Sequence, residues 1–190
     1  MVVEVFGDSW SIAFFGVQFR LCVFFIVAVE MREKTCCFTG HRILPKAEIP
    51  TIKSKLKKAI IELINDGVIY FATGGALGFD TLAAQTILDL KTDYPQIKLI
   101  LVLPCNNQAE KWKQSDIDIY EYIKHKADKC IYTSEKYYDG CMQKRNRHLV
   151  DNSKYCICYL KYQRGGTFYT YNYSKHQHLR LINVANKTKT

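Results

Sequence analysis

No aspartate or glutamate follows Asp151 in this sequence of 190 residues. The C-terminal part is therefore a basic tail, and the whole chain carries 27 Lys and Arg against 18 Asp and Glu, a net charge of +9. No C-x-x-C occurs among the eight cysteines, which removes the usual zinc and dithiol frameworks; no metal site is expected. Cys36 and Cys37 are adjacent, and Cys156 and Cys158 alternate along a predicted strand. Such cysteines serve as small apolar core residues, which fits a reducing, cytoplasmic setting. Neither G-x-G-x-x-G nor G-K-[ST] is present, so the dinucleotide fingerprint and the P-loop are both excluded. Internal repeats, low-complexity tracts and linkers are also missing, and the length suits one well-buried domain.

What is present begins with an unusual N-terminus. Ser11 to Val29 is almost entirely apolar, broken by Gln18 and Arg20. A run of about twenty residues is long enough for a membrane span, but a mid-span arginine costs about 2.5–3.5 kcal/mol on insertion scales. Glu4 and Asp8 stand where a secretory signal has positive charge, and no small-residue cleavage site follows. Residues 1–30 are read as an extension produced by an upstream start, with Met31 as the initiator and 31–190 as a single domain. The competing readings are a membrane or partner-docking segment and an additional core element.

From Met31 onward strand and helix signals alternate. Strands are expected at Lys34–Thr39, Val68–Ala72, Ile97–Leu103, Lys129–Thr133, Lys154–Leu160 and Leu181–Val184. Helices are expected at Pro50–Asn65, Asp80–Leu90, Ser115 to about Lys126, Cys141–Asn152 and Phe168–His178. In the first helix Ile52, Leu56, Ile60, Leu63 and Ile64 share one face, and Gly67 follows as a C-cap. Ser115-x-x-Asp118 resembles a capping box. This alternation implies an α/β sandwich: a mainly parallel sheet with helices on both faces, because parallel crossovers are right-handed. Ligands in such sheets bind at the carboxyl ends of the strands.

Four segments fall at those ends: Gly40-His41-Arg42, the turn Thr73-Gly74-Gly75-Ala76-Leu77-Gly78-Phe79-Asp80, Pro104-Cys105-Asn106-Asn107, and Arg164-Gly165-Gly166-Thr167. A strand turning through glycines into a helix aims backbone N–H groups and the helix dipole at one spot, which favours a phosphate. The candidate ligand-binding residues are Gly40, His41, Arg42, Gly74, Gly75, Ala76, Gly78, Asp80, Arg145, Asn146, Gly165, Gly166 and Thr167. Arg145 and Arg147, on the helix near the cleft, can pair bidentately with phosphate or serve as surface charge. Thr167 is either a hydroxyl contact or a helix N-cap. Asp80 complements its helix dipole or accepts hydrogen bonds from a ribose.

The ordered set Thr39-Gly40-His41-Arg42, Gly74-Gly75-Ala76-Leu77-Gly78-Phe79-Asp80, Lys144-Arg145-Asn146 and Gly165-Gly166-Thr167 resembles the SLOG superfamily, specifically its YpsA-like branch, over about Lys34 to Val184. The resemblance implies a Rossmann-like fold and a nucleotide-derived ligand. Relatives within the superfamily include cytokinin-activating phosphoribohydrolases and the DNA-processing protein DprA. Met142-Gln143-Lys144-Arg145-Asn146 is similar to the Met-x-x-Arg-Lys segment of the phosphoribohydrolases. Their Pro-Gly-Gly-x-Gly-Thr element is followed by a catalytic Glu. Here Arg164-Gly165-Gly166-Thr167 lacks the proline, and no acid follows it.

The expected function is binding of a nucleotide-type small ligand, as a sensor or regulatory module. An N-glycosidic hydrolase acting on nucleoside 5′-monophosphates is the second reading, with Asp80 as the catalytic carboxylate. The third is DprA-like binding of single-stranded nucleic acid through Lys53, Lys55, Lys57 and Lys58 and the basic tail, with Phe168, Tyr169, Tyr171 and Tyr173 stacking bases. Aromatics in a helix on a sheet are more often core. Thirteen tyrosines and a basic surface also suit protein docking, including self-association.

Overall fold

The computed structural model describes residues 28–185. Most of the N-terminal extension, residues 1–27, lies outside them. Residues 28–33 are helical and lead directly into β1 (Thr35–Gly40). A short 3-10 turn, Lys46–Glu48, precedes α1 (Ile49–Asn65). There follow β2 (Tyr70–Thr73), α2 (Phe79–Leu90), β3 (Lys98–Leu103), α3 (Gln114–Lys126), β4 (Lys129–Tyr132) and α4 (Cys141–Asp151). The chain ends in β5 (Tyr155–Tyr159), α5 (Gly165–His176) and β6 (Arg180–Asn183).

All six strands pair in parallel, in the order β4-β3-β2-β1-β5-β6. The expected Rossmann-like α/β fold is the observed one. The order is a consequence of the crossovers. From β1 the chain steps outward through β2, β3 and β4, then returns through α4 to lay β5 on the other side of β1. The reversal leaves a crevice between the carboxyl ends of β1 and β5.

Alternation along the strands sorts the core. Phe38, Phe71, Leu99, Leu101, Ile157 and Tyr159 face α1, α2 and α3, where Leu56, Ile60, Phe79 and Ile87 meet them. Cys37, Ala72, Val102, Cys156 and Cys158 face α4 and α5, with Leu149 and Val150 from α4. Small residues on this second face let the helices sit close to the sheet. Cys36, Cys37, Cys156 and Cys158 are fully buried, so the expectation that they act as core residues holds. Burial pushes the Cys158 thiol up to about 12, which leaves it protonated and unreactive at neutral pH.

Three local expectations are corrected. Helix α5 begins at Gly165 rather than Phe168, so Gly165, Gly166 and Thr167 form its first turn instead of a loop before it. Thr167 is not the N-cap; Arg164 takes that place in an extended conformation. The Ser115 capping box does not form either. Lys113 is the N-cap of α3 without a side-chain bond, and the Gln114 amide donates to Asp118 instead (2.8 Å).

A groove of about 590 Å³ runs over the second face beside α4, lined by Tyr70, Ile100, Val102, Ile131 and Leu149. It opens toward the amino ends of β1–β4, away from the crevice, and Arg32, Lys98, Asp128, Lys129 and His148 also line it.

Leu99 is fully buried between sheet and helices. Leu99→Ala is expected to lower unfolding free energy by about 2–5 kcal/mol in urea denaturation, through lost burial and the cavity left behind.

Candidate functional site

The crevice at the strand reversal is a cleft of about 290 Å³. It draws on Gly40, His41 and Arg42 after β1, Ala76 and Asp80 before and in α2, Met142, Arg145 and Asn146 on α4, and Arg164 to Thr167 at the start of α5. Three arginines face one carboxylate there, so the cleft favours an anion. Among the described residues no group of His, Cys, Asp or Glu is arranged to hold a metal ion.

The two glycine turns differ in kind. The first is closed by packing. A Cβ on Gly74 would overlap the Arg145 guanidinium, and one on Gly78 (φ 79°) would strike the Arg42 carbonyl. A Cβ on Gly75 would crowd Leu103, and one on Gly40 the ring of Phe79. Gly74, Gly75 and Gly78 therefore hold the turn against its neighbours, and only Ala76 and Asp80 of this segment reach the cleft. The second turn is open. Gly165 and Gly166 are exposed, and a Cβ on either would meet nothing within 4 Å. No side chain caps α5, so its first-turn N–H groups remain available at the cleft floor.

Arg145 crosses the cleft wall from α4 to the first turn. It is 5% exposed, and its Nη1 lies 3.6 Å from Asp80 Oδ2. The Ala76 N–H donates to the same carboxylate oxygen (3.4 Å). Burial pushes the Asp80 carboxyl up, and the Arg145 charge opposes that rise. The pair is loose, and Arg145 Nε and Nη1 have no hydrogen-bond acceptor. Both nitrogens are themselves buried, so Arg145 brings its positive charge to the cleft wall while these two atoms face the first glycine turn.

His41 organises the opposite side. Its Nε2 accepts the backbone N–H groups of Lys161 (3.1 Å) and Tyr162 (3.3 Å), tying the β5–α5 loop to the end of β1. Burial and the nearby Arg164 charge hold its pKa below the ordinary 6.5. Glu48 supports the same loop: it accepts from Lys161 Nζ (2.7 Å) and from the Tyr159 hydroxyl (3.1 Å). Neither Glu48 nor Lys161 carried a motif, since their link spans 113 residues of sequence.

Asn146 donates to Thr170 Oγ1 (2.9 Å), which fixes α4 to α5. Arg147 points elsewhere, donating to the Tyr169 hydroxyl (2.8 Å). The buried face of α5 consists of Thr167, Thr170 and Ser174, so its aromatics are only half-buried, with Tyr169 and Tyr173 stacked on each other (6.4 Å between centroids). The segment Pro104 to Asn107, expected at the same cleft, does not line it; of its residues Asn107 lines a neighbouring cavity.

A family model described as the YspA SLOG family matches residues 43–185. The chain belongs to that family. It is 34% identical over 104 residues to a UPF0398 protein of Brevibacillus brevis, covering 54% of this chain and 55% of the relative. A UPF0398 protein of Levilactobacillus brevis is also 34% identical, over half of each chain. The chain spans about half the length of the curated relatives it matches. Among solved structures it is similar to DNA processing protein A (DprA) of Streptococcus pneumoniae, with a TM-score of 0.58 at 15% identity over 80% of this chain and 50% of that one. DNA processing protein A of Helicobacter pylori, described in its single-stranded DNA binding mode, gives 0.57 at 18% identity over 81% of this chain and 66% of that one. At such identities the shared feature is the fold. No helix of the described residues is long and apolar enough to cross a membrane.

Two outcomes are expected for this family member's site. Arg145→Met leaves Asp80 buried without its cation and is expected to cost about 3–5 kcal/mol in chemical denaturation, with partial recovery on adding Asp80→Asn. The His41 bonds require neutral imidazole, and its folded pKa is depressed. Their contribution is therefore full above about pH 6.5, the unfolded value, and is lost as pH falls through the lower folded value. An NMR titration is expected to show the Lys161 and Tyr162 amides shifting together with His41.

Proposed function

We propose that this chain binds an anionic, nucleotide-type ligand, as a sensor or regulatory module, with a phosphate at the first turn of α5. The observation that carries the reading is the uncapped start of α5 opening onto the cleft that Arg42, Arg145 and Arg164 line. Helix N–H groups and dipole favour the phosphate, and Arg42, Arg145 and Arg164 supply charge-assisted bonds to its oxygens. The cleft volume of about 290 Å³ suits a phosphate with its sugar.

N-glycosidic hydrolysis is the weaker reading. Among the described residues Asp80 is the sole carboxylate lining the cleft, and it is engaged by Arg145 and the Ala76 N–H. A group with that role needs freedom to approach an anomeric carbon or a water. Binding of single-stranded nucleic acid draws on the fold shared with DNA processing protein A and on the exposed lysines of α1, of which Lys53 is paired with Asp89 (3.0 Å).

The test is a thermal-shift screen of the full chain against AMP, ADP-ribose, NAD, cyclic dinucleotides and an oligonucleotide. A ligand at 100 times its Kd is expected to stabilise by roughly 2.7 kcal/mol. Gly166→Asp separates binding from folding. Its side chain enters open space, and an acid in the first turn of a helix is favourable to the helix. It also sets negative charge where the phosphate sits. Binding is expected to vanish in Gly166→Asp while the Tm of the free protein holds. No shift with any nucleotide overturns the proposal, and a shift with the oligonucleotide alone, weakening steeply with salt, favours the nucleic-acid reading. Release of adenine from AMP, abolished by Asp80→Asn, would favour the hydrolase.

A further inference from the structure

A second cavity, of about 380 Å³, adjoins the cleft, and Arg42 and Met142 line both. They form the partition between the two spaces, so a ligand extending from the α5 end passes over them into this cavity. Its chemistry differs from that of the phosphate end. Trp112 and Tyr137 contribute aromatic surface, and Tyr137 is 58% exposed. Trp112 is braced edge-on by Tyr120, with centroids 5.4 Å apart and ring planes at 71°, so its indole is held by the core rather than swinging free.

Gln108 supplies the polar part. Its Nε2 donates to the Gly75 carbonyl (2.7 Å), which fixes the orientation of the amide. The Oε1 is then left buried with no donor. An acceptor without a partner, beside aromatic walls, fits a flat ring bearing an N–H or amino group.

We infer that this cavity is a nucleobase subsite: Trp112 and Tyr137 receive the face of the base, Gln108 Oε1 accepts from it, and Arg42 and Met142 bridge it to the phosphate cleft. The inference rests on the reading of the α5 end as the phosphate site and adds the class of ligand, a nucleotide with an N–H-bearing base rather than a bare sugar phosphate. It also gives the Pro104–Asn107 segment a part, because Asn107 lines this cavity and donates to Glu110 (3.2 Å).

The experiment compares AMP with ribose 5-phosphate on the full chain, which contains two tryptophans, Trp10 and Trp112. In a Trp10→Phe background, AMP is expected to change Trp112 fluorescence and to bind about tenfold more tightly than ribose 5-phosphate, the scale of one stacked base. Trp112→Leu is expected to erase that advantage and leave ribose 5-phosphate affinity unaltered. Tyr137→Ala, at an exposed position with little bearing on folding, is expected to reduce it in the same direction. Equal affinity for the two ligands, or an AMP advantage untouched by both substitutions, overturns the base subsite while the phosphate site stands. Failure of both ligands to bind overturns the two together.

Discussion

The contact on which the site depends is the one between the Arg145 guanidinium and the turn that joins β2 to α2. Arg145 is rooted on α4, the crossover that carries the chain to the far side of β1. Its head lies where a Cβ at Gly74 would be, beside the Asp80 carboxylate. Helix α4 and the β2–α2 turn, far apart in sequence, are thereby fixed together at the strand reversal. The ion pair is almost dry, and its partners are 3.6 Å apart rather than closely bonded. In such surroundings Asp80 balances the charge of Arg145, which keeps the buried guanidinium tolerable to the fold.

This contact also separates two uses of glycine that look alike in sequence. At Gly74 and Gly78 the missing Cβ makes room for protein: a guanidinium in one case, the carbonyls of the β1 loop in the other. At Gly165 and Gly166 it makes room for nothing in the chain. The first turn builds the wall of the cleft and the second leaves its floor bare. A similar division runs through the basic groups. Lys53 and Lys161 are tied to carboxylates, whereas Arg42 and Arg164 remain exposed at the cleft.

Much of the fold was legible from local patterns. The apolar spacing of Ile52, Leu56, Ile60 and Leu63 marked α1, and the unbroken run to Leu103 marked β3, each close to its observed bounds. Misreadings arose where neighbours decide. The sequence predicts α5 from Phe168, yet the helix begins at Gly165, which takes a positive φ and leads in from an extended Arg164. Its aromatics flank the sheet-facing positions, which are held by the small side chains Thr167, Thr170 and Ser174, and Tyr171 and Tyr173 pack half-buried against the core. Glu48, Lys161 and Gln108 escaped notice because each acts through a partner remote in sequence.

By itself the sequence determined which segments become strands and helices, that the strands run parallel, and that several polar and glycine-rich segments gather at their carboxyl ends. Periodicity and chain connectivity are local or topological properties, and they are written into the order of residues. Only the tertiary structure decided which glycine turn is filled and which is open, that Arg145 is buried with idle donors, and that a second, aromatic cavity lies beyond Arg42 and Met142. Those outcomes depend on distances of a few ångströms between residues far apart in the chain. No spacing rule encodes them, because side-chain packing across the sheet sets them.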